Sequence, residues 1–140
     1  MGQDAPNGGR HCYPVLGKRM SLRSLVPLAS VKSVSRSIAF YEKLGFVVGD
    51  THTPEGAAEP SWVWLSCDGA HLMLGQASEP IDPHERAIMF YIYCDDVAGF
   101  RTRLLDSGVE AGPIAYPFYA PRGEFALTDP DGYAVMVTHT

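Results

Sequence analysis

Apolar residues along this chain change spacing from segment to segment. Val34, Ile38, Tyr41 and Leu44 recur at three- and four-residue intervals, which marks one buried face of a helix. Ser33 or Ser35 is available as its N-cap, and Gly45 stands where a helix C′ residue belongs. The pattern predicts a strand near 25–31, a helix over 34–44, and a strand opening on Phe46-Val47-Val48. A loop follows over 50–60, with Pro54 and Gly56. Ser61 to Cys67 then alternates around Trp62 and Trp64, and Asp68-Gly69 turns the chain into a strand over 71–75.

The same order returns at an offset of 63 residues. Val31-Lys32-Ser33-Val34 aligns with Cys94-Asp95-Asp96-Val97, Gly45 with Gly108, Asp68-Gly69 with Asp131-Gly132, and Met73 with Met136. A period of that size means two copies of one supersecondary unit. The second copy predicts a strand over 87–94, a helix over 97–105 capped by Asp95 or Asp96, and a strand over 109–115. A loop over 116–123 leads to a final hairpin of 124–128 and 133–139. The segment 76–86, with Pro80 and Pro83, reads as the linker. The fold class is α+β: two βαβββ modules, 21–76 and 86–140, forming one curved mixed sheet around a cleft within a single domain.

Residues 1–20 lack any sustained period and read as a flexible N-terminal extension, with Met20 a plausible natural start. His11 and Cys12 fall there and carry no argued role. At 140 residues the chain suits one domain with a proper core. A net charge of −5 argues against a nucleic-acid surface, and no apolar run approaches a membrane span. The cysteines are Cys12, Cys67 and Cys94; their odd number and the missing secretory signal point to reduced thiols in a cytoplasmic protein. Cys67 and Cys94 read as small buried hydrophobes.

Two motifs point to a family. Ser37-Ile38-Ala39-Phe40-Tyr41-Glu42-Lys43-Leu44-Gly45-Phe46 resembles the S-x-x-F-Y-x-x-x-L-G-F signature of the vicinal oxygen chelate superfamily. Asp129-Pro130-Asp131-Gly132-Tyr133 resembles its D-P-D-G hairpin. That group includes glyoxalase I, extradiol dioxygenases, fosfomycin-resistance enzymes and bleomycin-resistance proteins. The resemblance covers about 22–139 and implies the two-module fold, but neither motif is catalytic.

The resemblance also implies where a metal would bind, with one ligand in the first and one in the last strand of each module. Those positions fall at Val26, Met73, Met89 and Met136. Family sites use His, Gln or Glu there, and aliphatic or thioether side chains are poor ligands for hard or borderline divalent cations. The expectation is no metal and no cofactor.

Strand side chains alternate faces, so each inward position fixes its neighbours. With Met89 inward, Tyr91 and Tyr93 join it, while Phe90, Ile92 and Cys94 face the helix. Met136 brings Ala134 and Thr138, and Met73 brings His71 and Gly75. Trp62 and Trp64 share one face, read as facing the cavity. The candidate ligand-binding set is therefore Trp62, Trp64, His71, Met73, Met89, Tyr91, Tyr93 and Met136. Two tryptophans and two tyrosines suit stacking on a flat or cationic ligand.

No catalytic residue emerges. Glu124 reads as a contact of Arg122 or a solvated edge, and Asp129 and Asp131 as turn residues. His52 and His84 fall in loops, and Arg36, Lys43, Arg101 and Arg103 read as solvated helix faces. The sequence thus predicts a metal-free small-molecule binding protein of the bleomycin-resistance kind. The alternative is a glyoxalase- or dioxygenase-like enzyme with a non-standard or absent metal site. The resemblance further implies a homodimer, while the net charge and the short apolar runs predict no nucleic-acid or membrane partner.

Overall fold

The computed structural model describes residues 13–15, 18–20, 22–85 and 87–140. Within the span read as an extension, β1 (Tyr13–Val15) and β2 (Lys18–Met20) form an antiparallel hairpin. His11 and Cys12 lie outside the described residues.

The first module runs β3 (Leu28–Val31), α1 (Val34–Leu44), β4 (Val47–His52), β5 (Trp62–Cys67) and β6 (Ala70–Gln76). Its strands lie in the order β3-β6-β5-β4, with β3 parallel to β6. The second module runs β7 (Met89–Cys94), α2 (Val97–Asp106), β8 (Glu124–Thr128) and β9 (Ala134–His139), in the order β7-β9-β8. The two-module α+β plan is therefore present, but the continuous sheet is divided. Each module has its own hydrogen-bonded sheet, and no ladder joins them among the described residues.

The repeat is carried by register and capping. Leu28 lies opposite Met73 and Tyr91 opposite Met136, so both members of the second pair stand 63 residues beyond the first. The Ser33 side chain accepts from the Arg36 amide at the start of α1, and Asp96 accepts from the Gly99 amide at the start of α2. Each satisfies one of the orphan donors of a helix's first turn. Gly45 closes α1 in the left-handed region, where a side chain would be strained.

Three expectations are corrected. The loop over 50–60 starts later, because β4 continues to His52, with a register shift between Val48 and Thr51. His52 is thus an exposed edge-strand residue. The strand over 109–115 reduces to one bridge between Ala115 and Glu124, plus a bond from the Gly112 amide to the Ala126 carbonyl. Pro113 lacks the donor that a regular ladder needs there. The first strand begins at Leu28, so Val26 stands before it and the β3 residue opposite Met73 is Leu28.

One apolar core serves both modules. It includes Val31, Val34, Tyr41 and Leu74 from the first, and Leu104, Phe125, Val135 and Val137 from the second. α1 packs on β4, β5 and β6, and α2 on β8 and β9, so each sheet buries its helix side. The opposite side of each sheet is left open. Among the described residues no helix is long and apolar enough to cross a membrane.

Candidate functional site

On the first sheet, Val63, Leu65, Leu72 and Leu74 are buried on the helix side. By alternation Trp62, Trp64, His71 and Met73 occupy the open side, half-buried. Trp64 lies opposite Met73, and Ser66 opposite His71. The rings of Trp64 and His71 approach with centroids 5.5 Å apart. His71 Nδ1 is buried and has no hydrogen-bond partner.

On the second sheet, Val135 and Val137 are buried against the helix side, with Phe90 and Ile92 packed on the same core. Met89, Tyr91, Tyr93 and Met136 take the open side. Met89, Tyr91 and Tyr93 are all exposed, and the Tyr91 and Tyr93 rings lie 6.4 Å apart, tilted by 30°. A cavity of about 280 Å³ opens here, lined by Tyr91, Tyr93, Tyr119, Arg122, Glu124 and Thr138 among others. The eight sequence-derived candidates thus form two groups of four, one on each open face. Among the described residues no strand pairing brings the groups together.

Glu124 is the cavity residue that the sequence reading misplaced. It is neither an Arg122 contact nor a solvated edge: it is 5 % exposed, and its Oε1 accepts from the Tyr119 hydroxyl at 3.1 Å. That bond, together with the carboxylate's charge, raises the Tyr119 phenol above its ordinary value. Arg122 instead places Nη1 3.2 Å from His139 Nδ1. The observed hairpin register explains the miss. Trp64 pairs with Met73 while Ala126 pairs with Met136, so the second hairpin is one residue longer and Glu124 is the counterpart of Trp62.

The arginines read as solvated helix faces make structural bonds. Arg101 Nε donates to the Gly112 carbonyl at 2.7 Å and fastens the segment that Pro113 keeps from forming a strand. Arg103 Nη2 donates to the Leu44 carbonyl at 3.4 Å, at the end of α1. Arg36 pairs with Asp131 at 3.5 Å. Cys67 and Cys94 are free and half-buried, and burial raises the Cys94 thiol above its ordinary value.

No group of three or more His, Cys, Asp or Glu among the described residues is placed to hold a metal ion. The positions where the resemblance implies ligands carry Val26, Met73, Met89 and Met136. The divalent metal implied by that resemblance does not fit this donor set.

A family model described as the Glyoxalase/Bleomycin resistance protein/Dioxygenase superfamily matches residues 25–137. No curated protein matches the chain. Among solved structures, the chain is similar to a bleomycin-binding protein complexed with bleomycin, at 20 % identity and a TM-score of 0.68 over 85 % of this chain and 99 % of that one. It is similar to the bleomycin resistance determinant encoded on transposon Tn5, at 19 % identity and a TM-score of 0.68 over 85 % and 98 %. It also resembles TnmS3, an antibiotic binding protein from Streptomyces sp. CB03234, at 21 % identity and a TM-score of 0.61 over 86 % and 98 %. At such identities the likeness is one of fold.

Proposed function

Because the chain belongs to the glyoxalase/bleomycin resistance protein/dioxygenase superfamily, we propose that it is a binding protein that sequesters an aromatic or cationic small molecule, antibiotics included. It does so in an aromatic cleft, without metal and without turnover. The observation that carries this reading is the occupancy of the two open faces. Where metal-using relatives are expected to present imidazole and carboxylate, this chain presents methionine flanked by Trp62, Trp64, Tyr91 and Tyr93. Aromatic rings give wide stacking surfaces, and thioethers fill irregular apolar gaps. Small-molecule sites have this make-up, mostly apolar with a few placed polar groups. The names borne by two of the similar structures, bleomycin-binding and antibiotic binding, support the same ligand class.

The protein acts as a cytoplasmic homodimer with two equivalent clefts. The two aromatic groups lie on separate sheets of one chain, and a two-fold pairing would set the open face of one module against that of the partner's other module. Isologous closure then gives both clefts at once. Light scattering at micromolar concentration is expected to give twice the chain's 15.3 kDa. A monomer mass overturns the dimer.

Titration of intrinsic tryptophan fluorescence with bleomycin and a panel of planar antibiotics tests the binding function. A saturable change is expected for at least one compound, and Trp62→Ala or Trp64→Ala should weaken it. Flat titrations across the panel, with both variants unchanged, overturn it. Stoichiometric metal surviving dialysis of the purified protein would instead favour an enzyme of the superfamily.

A further inference from the structure

The cavity on the second sheet contains a group that stacking alone does not require. Glu124 is almost wholly buried, its Oε1 accepts from the Tyr119 hydroxyl, and its Oε2 is buried with no hydrogen-bond partner. Among the described residues the ion pair that forms is Arg36 with Asp131, not one to Glu124. Arg122, two positions away, is turned to His139. A carboxylate oxygen left buried without a partner is costly. A fold that keeps one beside a cavity leaves the compensating group to come from outside the chain.

The surroundings define that group. An ionised carboxylate only accepts hydrogen bonds, and the single hydroxyl proton of Tyr119 is already committed to Oε1. The partner of Oε2 must therefore be a donor, and a positively charged one gains most. Tyr91, Tyr93 and Tyr119 line the same cavity, and tyrosine faces attract cations. A bare metal ion is poorly served, since one carboxylate stands alone among aromatic rings. The cavity, at about 280 Å³, has room for a compact organic group.

We propose that this cavity is an ammonium subsite. A protonated amine of the ligand donates N–H to Glu124 Oε2, and its charge lies against the rings of Tyr91, Tyr93 and Tyr119. The assignment rests on the binding function proposed above and deepens it by naming the charge of what is bound at this face.

The test compares benzylammonium with benzyl alcohol, its neutral counterpart, by calorimetry and by tyrosine ring signals in NMR at neutral pH. Wild-type protein is expected to bind the ammonium at least about tenfold more tightly, the scale of one hydrogen bond to a charged group. Shifts should be confined to Tyr91, Tyr93 and Tyr119. Glu124→Gln should abolish the preference, and Tyr119→Phe, which removes only a hydroxyl, should reduce it. Equal affinity of wild type for the two probes overturns the subsite. So does failure of benzylammonium to bind while bleomycin still changes tryptophan fluorescence, and in that case the cleft function survives. If neither the probes nor the antibiotic panel binds, both readings fall. The wild-type comparison decides the matter even if Glu124→Gln fails to fold.

Discussion

The hydroxyl of Tyr41 donates to the carboxylate of Asp129 at 2.8 Å, joining α1 of the first module to the hairpin turn of the second across 88 positions. Both residues are buried. Asp129 Oδ1 accepts from the amides of Asp131 and Tyr133, so one side chain shapes its own turn and anchors the other module. Asp131 completes the junction. It accepts from the Lys32 amide at 2.8 Å and from the Ser37 hydroxyl at 3.2 Å. The two motifs that identify the family, Ser37 to Phe46 and Asp129 to Tyr133, are thus two sides of one contact, and their shared role is to dock the modules.

Tyr41→Phe should measure that docking. Burial first, then the nearby Asp129 charge, lifts the Tyr41 phenol far above its usual range, so it stays a donor at any working pH. Removing the hydroxyl leaves a buried carboxylate oxygen short of a partner, at a cost of about 1–3 kcal/mol. Thermal melts should fall by several degrees with the fold retained. An unchanged melting temperature would show that the bond adds nothing to stability.

Asp129→Asn should change how stability depends on pH. Burial raises the Asp129 pKa, outweighing the bonds from Tyr41 and from the Tyr133 and Asp131 amides that lower it. The folded state therefore holds this proton more tightly than the unfolded chain does. Its contribution is full below the ordinary value of 3.8 and declines as pH rises towards the raised folded value. Asparagine keeps an acceptor for both amides and can turn its NH₂ to the Tyr41 oxygen. The variant should compare worst with wild type in acid and improve as pH rises through that window. Urea unfolding across the window checks the sign, and a gap that widens with pH would reverse it.

The two helices, their ends to within a residue or two, and the alternation of β5, β6, β7 and β9 were legible in the sequence because each depends on neighbours within a few residues. Ser33, Asp96 and Gly45 announce helix ends, and alternation separates Tyr91 and Tyr93 from Phe90 and Ile92. What was not legible depends on register between distant strands. A uniform offset of 63 maps Glu124 onto Ser61 and makes it look incidental. Only the pairing of Ala126 with Met136 shows that the longer turn moves Glu124 to the place of Trp62. The bonds of Arg101 and Arg103 were hidden for the same reason, since their acceptors are backbone carbonyls that composition does not mark. The division of the sheet follows from Leu28 and Met89 each beginning an edge strand that, among the described residues, pairs within its own module.

The linker, though largely exposed, presses Pro83 against the second hairpin, and Gly132 reports it. Gly132 has φ 87°, and a Cβ there would stand 2.5 Å from the Pro83 carbonyl oxygen. Gly56 has a similar φ of 79° but nothing within 4 Å. Gly56→Ala should therefore cost only the left-handed backbone penalty, about 1 kcal/mol. Gly132→Ala adds a clash with backbone and should be clearly worse by urea unfolding. Equal losses would mean that the linker moves aside freely.

The strand register of the second sheet can be tested by restoring ligand chemistry to it. Met89 pairs with Ala134 and Tyr91 with Met136, so Met89 and Met136 are diagonal neighbours on one face. With strands about 4.8 Å apart and a rise of about 3.3 Å per residue, the two positions stand roughly 8 Å apart, within reach of two longer side chains on a common ion. The double variant Met89→His with Met136→Glu places an imidazole and a carboxylate there. The introduced carboxylate would enter a half-buried site and should lower stability until a proton or a metal neutralises it. Two ligands bind weakly, so the expected result is a destabilised protein whose melting temperature recovers in part with Zn²⁺ or Ni²⁺, beyond any response of wild type. Each single variant should recover less than the pair. A double variant as stable as wild type and indifferent to both ions would show that Met89 and Met136 do not meet, and with them the assigned open face of β7 and β9 would fall.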